Sequence, residues 1–174
     1  MRRRELALET VRSYVHPSVL DVGCGSGRVA EHLLDAGAGA YVGIDLAGEM
    51  LELARTRLAR FGGRVTLIHG DFIDAPLARS FDVVLGLGIF DYLADPEPFV
   101  ERMSALSSGS VVASFPAWHW FKGPIRKLRY EVLNDCPIFN YTDEQVRNLF
   151  GALGFAQIDV RTPGRAGFLV RADR

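Results

Sequence analysis

The sequence predicts a doubly wound α/β fold, with a mostly parallel sheet of about seven strands that ends in a C-terminal antiparallel hairpin. Short apolar runs alternate with segments of helical periodicity from Val19 onward. The first apolar run enters a glycine-rich turn, and a helical pattern follows that turn directly. The chain has 174 residues, of which 48% are hydrophobic and 24% charged. This length and composition indicate one globular domain over residues 1–174.

The first half of the chain predicts strands and helices in alternation. Residues 1–18 are expected to form a short lead-in with an amphipathic helix at 5–14. The predicted helix 48–60 has an apolar stripe at helical spacing, which consists of Met50, Leu51, Leu53, Ala54 and Leu58. The predicted elements are strand 19–22, helix 27–36, strand 41–44, helix 48–60 and strand 65–69.

The second half predicts the remaining strands and two capped helices. Asp95 precedes proline and is suited to cap a helix, and Thr142 with Gln145 forms a capping-box pattern at another. The irregular stretch 115–140 follows a predicted strand end, where long connections often form lids. The strands are expected at 81–87, 109–115, 155–161 and 167–172, the last two as a hairpin.

The segment from Val19 to Arg28 carries the strongest functional signal. Glycines 23, 25 and 27 alternate with small residues, so backbone can approach a ligand closely and offer free N–H groups. The dinucleotide fingerprint G-x-G-x-x-G fails in both registers, because its third glycine is replaced by Arg28 or Ala30. Asp21 beside the turn would repel a pyrophosphate. An NAD-dependent oxidoreductase is therefore disfavoured.

The segment 19–27 resembles the first motif of class I S-adenosylmethionine-dependent methyltransferases, which have a Rossmann-like fold. Tyr41-Val-Gly-Ile-Asp-Leu46 is similar to their second motif and His69-Gly-Asp-Phe72 to their third. The resemblance implies that Asp45 binds the ribose hydroxyls and that Asp71 and Phe72 bind adenine. It implies S-adenosyl-L-methionine as cofactor and S-adenosyl-L-homocysteine as product. The expected cofactor-binding residues are Asp21, Gly23, Gly25, Gly27, Asp45, Leu46, Met50, Asp71, Phe72 and Leu87.

The acceptor is expected to bind near residues 88–93 and 115–130, which follow two predicted strand ends. His119 titrates near neutrality and is a candidate base for a hydroxyl acceptor, and Asp91 is the second candidate catalytic residue. Aromatic side chains indicate a small aromatic or lipophilic acceptor, methylated on oxygen or carbon. A non-catalytic, cofactor-binding partner subunit is the alternative. The expected acceptor-pocket residues are Tyr92, Trp118, Trp120 and Tyr130.

Composition limits the remaining classes of function. The net charge of −1 argues against nucleic-acid binding. Cys24 and Cys136 form no metal-binding pattern, and the four histidines show no ligand spacing, so no metal is expected. Basic residues at the start precede no apolar run, and no stretch is long enough to span a membrane, which predicts a cytoplasmic protein. Peripheral membrane contact and homo-oligomerisation stay open.

Overall fold

The computed structural model describes residues 3–117, 139–162 and 167–174 and contains a seven-stranded sheet in this part of the chain. The strand order is β3-β2-β1-β4-β5-β7-β6. The pairs among the first five strands are parallel, whereas β7 lies antiparallel to both β5 and β6. The predicted fold class is confirmed, including the hairpin. The strands are β1 (Ser18–Val22), β2 (Ala40–Asp45), β3 (Val65–His69), β4 (Phe81–Leu87), β5 (Ser107–Phe115), β6 (Gln157–Arg161) and β7 (Phe168–Asp173).

Helices cover both faces of the sheet, and each face has its own core. Alternate residues of one strand serve the two cores, since Val112 packs with the α1–α3 side and Val111 with the α4–α5 side. Strands buried on both faces explain why the apolar runs in the sequence are nearly continuous. The helices are α1 (Arg3–Arg12), α2 (Arg28–Asp35), α3 (Gly48–Leu58), α4 (Glu97–Ala105) and α5 (Asp143–Gly151), with a 3-10 segment at Ala59–Arg64.

The helix signals in the sequence are largely present in the structure. Thr142 Oγ1 accepts from the backbone N–H of Gln145, and the Gln145 side chain accepts from the Thr142 N–H, which completes the capping box. Asp95 Oδ1 accepts from the N–H of Glu97, although the N-cap residue itself is Pro96. The capping prediction is therefore confirmed for α5, whereas for α4 the N-cap lies one residue after the predicted Asp95.

The apolar stripe predicted for α3 is partly wrong. Met50 is 41% exposed and Leu53 is 53% exposed, whereas Leu51, Ala54 and Leu58 are buried. Met50 comes one position before Leu51, and Leu53 one position before Ala54. One position along a helix rotates a side chain by about 100°, which turns the two exposed side chains away from the sheet. Apolar residues at helical spacing thus predict a wider buried face than α3 has.

None of the helices in the described ranges is long and apolar enough to cross a membrane.

The topology gathers the ends of the central strands at one edge. Asp45 ends β2 and pairs with His69 at the end of β3, while Val22 pairs with Gly86 of β4. The strand order reverses between β1 and β4, so the connections from these strands diverge and leave a crevice there. The carboxyl ends of β1, β2, β3 and β4 are therefore brought to the same edge of the sheet.

Candidate cofactor and acceptor site

The glycine-rich turn connects β1 to α2 in a conformation that favours glycine. Gly23, Gly25 and Gly27 have φ angles of +71°, +52° and +71°. The N–H of Gly23 donates to Ile44 O at 2.9 Å, which fixes the turn to β2. A Cβ on Gly23 would overlap Ile89 Cγ2, whereas a Cβ on Gly25 would meet no atom within 4 Å. The turn therefore packs tightly at Gly23 and leaves space beside Gly25. The N–H groups of Gly25 and Gly27 are already bonded within the protein, so they are not free as the sequence predicts.

The Asp45 carboxylate lies at the end of β2, directly beside this turn. Its Oδ2 accepts from the N–H of Gly25 at 2.7 Å, and its Oδ1 accepts from the N–H of Ala47 at 2.9 Å. Two backbone donors fix its orientation. A carboxylate has about four acceptor positions, so both oxygens keep capacity for further donors such as vicinal hydroxyls.

Asp71 and Phe72 follow β3 and form the neighbouring wall. Asp71 is exposed, and its Oδ1 accepts from the N–H of Ile73 at 2.8 Å. Phe72 is buried and packs its ring against Phe99 of α4 at a centroid distance of 5.6 Å. An acceptor oxygen and a flat apolar surface are thus adjacent.

One cleft, with a volume of about 300 Å³, is lined by Gly23, Asp45, Asp71 and Phe72 together with other residues. This volume is at the lower end of the range for small-molecule sites. Asp45 and Asp71 are the acidic lining residues, and no basic residue of the described chain lines the cleft. The cleft suits a ligand with hydroxyl or amino donors and a positive charge. Its lining residues are Val22, Gly23, Ile44, Asp45, Leu46, Gly70, Asp71, Phe72, Leu87, Gly88, Ile89, Tyr92, Leu93 and Phe99.

Seven residues singled out from the sequence lie in this lining. They are Gly23, Asp45, Leu46, Asp71, Phe72, Leu87 and Tyr92. The others in the described ranges are not lining residues of the cleft: Asp21, Gly25, Gly27, Met50 and Asp91. The predicted roles of His119, Trp118, Trp120 and Tyr130 concern residues outside the described part of the chain.

Asp21 is buried beneath the glycine turn. It is 3% exposed, and its Oδ2 accepts from the Tyr41 hydroxyl at 2.8 Å. Burial raises the pKa of Asp21 to about 7, the Tyr41 hydrogen bond partly offsets this, and the negative charge of Asp45 adds to it. Asp21 therefore joins β1 to β2 through Tyr41, next to the glycine turn. Its carboxyl group changes protonation near neutral pH.

The raised pKa makes stability depend on pH. An unfolded Asp21 loses its proton near pH 4, whereas the folded one keeps it until about pH 7, so this residue's contribution falls as pH rises between those values. We expect Asp21→Asn, which keeps an acceptor for Tyr41, to remove this loss and therefore to gain stability relative to wild type as the pH rises from 4.5 to 8.

Urea unfolding of both proteins at pH 4.5 and pH 8 measures the effect. Equal differences in unfolding free energy at the two pH values would show that Asp21 titrates normally. Asp35→Asn provides the control, because Asp35 is an exposed carboxylate paired with Arg60.

Asp91 and Tyr92 follow β4 at the far end of the cleft. The Asp91 carboxylate is only 14% exposed and forms an ion pair with Arg3 of α1 at 3.5 Å. Gly88 has a φ of +93°, and a Cβ there would lie 2.8 Å from Arg3 Nη1. Tyr92 lines the cleft and is half exposed. Arg3 thus holds the predicted catalytic carboxylate, a contact that no local sequence signal reveals.

Sequence reasoning also missed part of the apolar wall. Ile89 and Leu93 lie within the predicted 88–93 segment, but only Tyr92 and Asp91 were singled out there. Phe99 is on α4, and its spacing marks it only as a helix residue. Its neighbour in space is Phe72, which is distant in sequence.

The fold and this site define an S-adenosylmethionine-dependent methyltransferase domain. A family model described as "Methyltransferase domain" matches residues 19–108, and the chain belongs to that family. The match includes the glycine turn, Asp45 and Asp71. The predicted family is confirmed, and with it S-adenosylmethionine as the cofactor that the family uses.

Among curated proteins, the chain is similar to the ubiquinone biosynthesis O-methyltransferase of Vibrio campbellii. The two are 33% identical over 106 residues, which is 60% of this chain and 45% of that protein. The chain thus spans about half the length of the curated relatives it matches.

Solved structures share the fold over nearly the whole chain. Magnesium protoporphyrin IX methyltransferase from Synechocystis, with bound S-adenosylhomocysteine, has a TM-score of 0.76 at 18% identity, covering 99% of this chain and 84% of that one. An S-adenosylmethionine-dependent methyltransferase from Mesorhizobium loti has a TM-score of 0.78 at 21% identity, covering 99% and 98%.

Proposed function

We propose that this chain transfers a methyl group from S-adenosylmethionine to a small aromatic or lipophilic acceptor, on an oxygen or a carbon atom. The observation that carries the proposal is a single cleft with carboxylates at one end and an apolar wall at the other. Asp45 and Asp71 mark the nucleoside end, and Ile89, Tyr92 and Leu93 mark the opposite end.

The residues present fit the cofactor. The open backbone at Gly25 leaves room for a ligand that a Cβ would restrict, and the oriented Asp45 carboxylate can accept from both ribose hydroxyls. Asp71 can accept from the adenine amino group while Phe72 packs against the ring. The turn and these three side chains would hold the nucleoside.

The bound cofactor supplies a methyl group already activated on a sulfonium. The residues of the chain then have to align the acceptor with that methyl group and exclude water. Ile89, Tyr92 and Leu93 provide an apolar surface for this at the end of β4. Asp91 is engaged with Arg3, so its predicted catalytic role is to be tested beside that of His119.

The acceptor class has independent support from the relatives. The ubiquinone biosynthesis O-methyltransferases are named for methylation on oxygen, and the match to them reaches 33% identity. The apolar wall suits acceptors with a flat ring or a lipophilic chain. A small-molecule substrate and a cytoplasmic location remain part of the proposal.

The test combines binding with turnover. Calorimetry with S-adenosylmethionine, S-adenosylhomocysteine and NAD is expected to show binding of the first two only. A labelled methyl donor with a panel of phenols, quinones and porphyrins is expected to give a methylated product. With an accepted substrate, Tyr92→Ala is expected to raise the acceptor KM about fivefold and to change the cofactor affinity little. Intact cofactor binding with no product from any acceptor would favour the non-catalytic partner subunit. Binding of NAD alone would overturn both.

A further inference from the structure

The segment that follows β3 has no regular secondary structure through residues 70–80, although it carries three residues of the cleft. Its internal hydrogen bonds are local. Asp71 accepts from the N–H of Ile73 through its carboxylate and from the N–H of Ala75 through its carbonyl oxygen. These bonds shape the turn, and the N–H of Gly70 donates to Asp45 O at 3.1 Å, which ties the first residue of the segment to β2. The position of the rest of the segment depends on contacts with another element.

Arg102 of α4 makes those contacts. Its Nη2 donates to the carbonyl oxygen of Ala75, and its guanidinium carbon lies 5.4 Å from the centroid of the Phe72 ring. Phe99, almost one turn earlier on α4, packs against the same ring. A single arginine thus holds the segment by its backbone and by the aromatic side chain that lines the cleft.

This arrangement is costly for the fold itself. Arg102 Nε is buried and has no hydrogen-bond partner among the residues that the structure describes. A buried charged donor without a partner destabilises the folded state, and an unbranched apolar side chain of similar length would avoid that penalty. The hydrogen bond to Ala75 and the contact with Phe72 offset this cost, and both of them act on the segment that carries cleft residues.

We propose that Arg102 is a positioning residue, which sets the location of Asp71 and Phe72 against the base of the cofactor. The inference rests on the proposed function, since it assigns these two residues to the base. Arg102 itself does not line the cleft. Its effect reaches the cofactor through Ala75 and Phe72.

The test uses Arg102→Met, which keeps an unbranched apolar stem and removes the guanidinium together with both of its contacts. The matched control is Arg174→Met, because Arg174 also lies over an aromatic ring, that of Phe155 at 5.1 Å, and also donates to backbone carbonyls, those of Ser104 and Ser107. Neither Arg174 nor Phe155 lines the cleft. Calorimetry is performed with S-adenosylhomocysteine and with its inosine analogue, in which an oxo group replaces the adenine amino group.

We expect Arg102→Met to raise the Kd for S-adenosylhomocysteine about tenfold and to lower the preference over the inosine analogue about fivefold. The control is expected to stay within about twofold of wild type. With an accepted substrate, the KM for S-adenosylmethionine should rise while kcat is retained. Arg102→Lys, which restores a positive charge but a single donor group, should give an intermediate affinity.

Two results would overturn the inference. One is an unchanged affinity and base preference in Arg102→Met; the other is an equal loss in both variants that follows a fall in Tm. Failure of the wild-type chain to bind S-adenosylhomocysteine at all would instead contradict the proposed function. The two failures are therefore distinguishable.

Discussion

Asp45→Ala is expected to reduce the affinity for S-adenosylmethionine on the order of 100-fold. The carboxylate is held by the N–H groups of Gly25 and Ala47, so it is oriented before a ligand arrives. Two hydrogen bonds from ribose hydroxyls to an ionised acceptor contribute together about 3 kcal/mol. Removing the acceptor also leaves the Gly25 N–H without a side-chain partner, which loosens the glycine turn.

Calorimetry of the variant beside Asp35→Ala measures this effect. Asp35 is likewise a carboxylate with hydrogen-bond donors around it, here Arg60 in an ion pair at 2.7 Å. It is on α2 and does not line the cleft. The control should bind as wild type does. If Asp45→Ala retained full affinity, the ribose assignment would be wrong, whatever the activity of the enzyme.

Gly23→Ala is expected to have the second largest effect, on binding and on stability together. The φ of +71° costs a non-glycine residue about 1 kcal/mol or more. The new Cβ would also overlap Ile89 Cγ2, and Ile89 lines the cleft. Either Ile89 or Gly23 must shift, and both line the cleft, so we expect at least a tenfold loss of cofactor affinity and a Tm lowered by several degrees.

Gly63→Ala is the matched control. A Cβ on Gly63 would meet no atom within 4 Å, and its φ lies outside the left-handed region. Chemical unfolding should leave it within about 0.5 kcal/mol of wild type. A Gly23→Ala protein as stable and as tightly binding as wild type would show that the turn adapts without displacing Ile89.

Much of the fold could be predicted because its signals are local. The strands are buried on both faces and therefore appear in the sequence as apolar runs. Thr142 and Gln145 predict the start of a helix from a pattern of four residues. The glycine turn and the acids after β2 and β3 are also local patterns. They place cofactor residues at strand ends, and parallel strands bring those ends together.

The parts that escaped prediction depend on contacts between distant segments. Tyr41 donates to Asp21 only because β1 and β2 are neighbours, and Arg3 pairs with Asp91 although α1 and the loop after β4 are distant in the sequence. Met50 and Leu53 show the opposite problem, since their apolar character predicted burial that the helix orientation does not provide. Periodicity gives the face of a helix only within about one position.

Ile89 occupies the space that a Cβ on Gly23 would need, and this has a consequence for the evolution of acceptor selectivity. Ile89 belongs to the loop after β4 and at the same time limits the glycine turn. A larger or smaller residue there would change acceptor fit and nucleoside binding in one mutational step. Tyr92, which is half exposed and farther along the loop, is not tied to the turn in this way. New acceptor selectivity is therefore more accessible, in evolution and in protein engineering, through position 92 than through position 89.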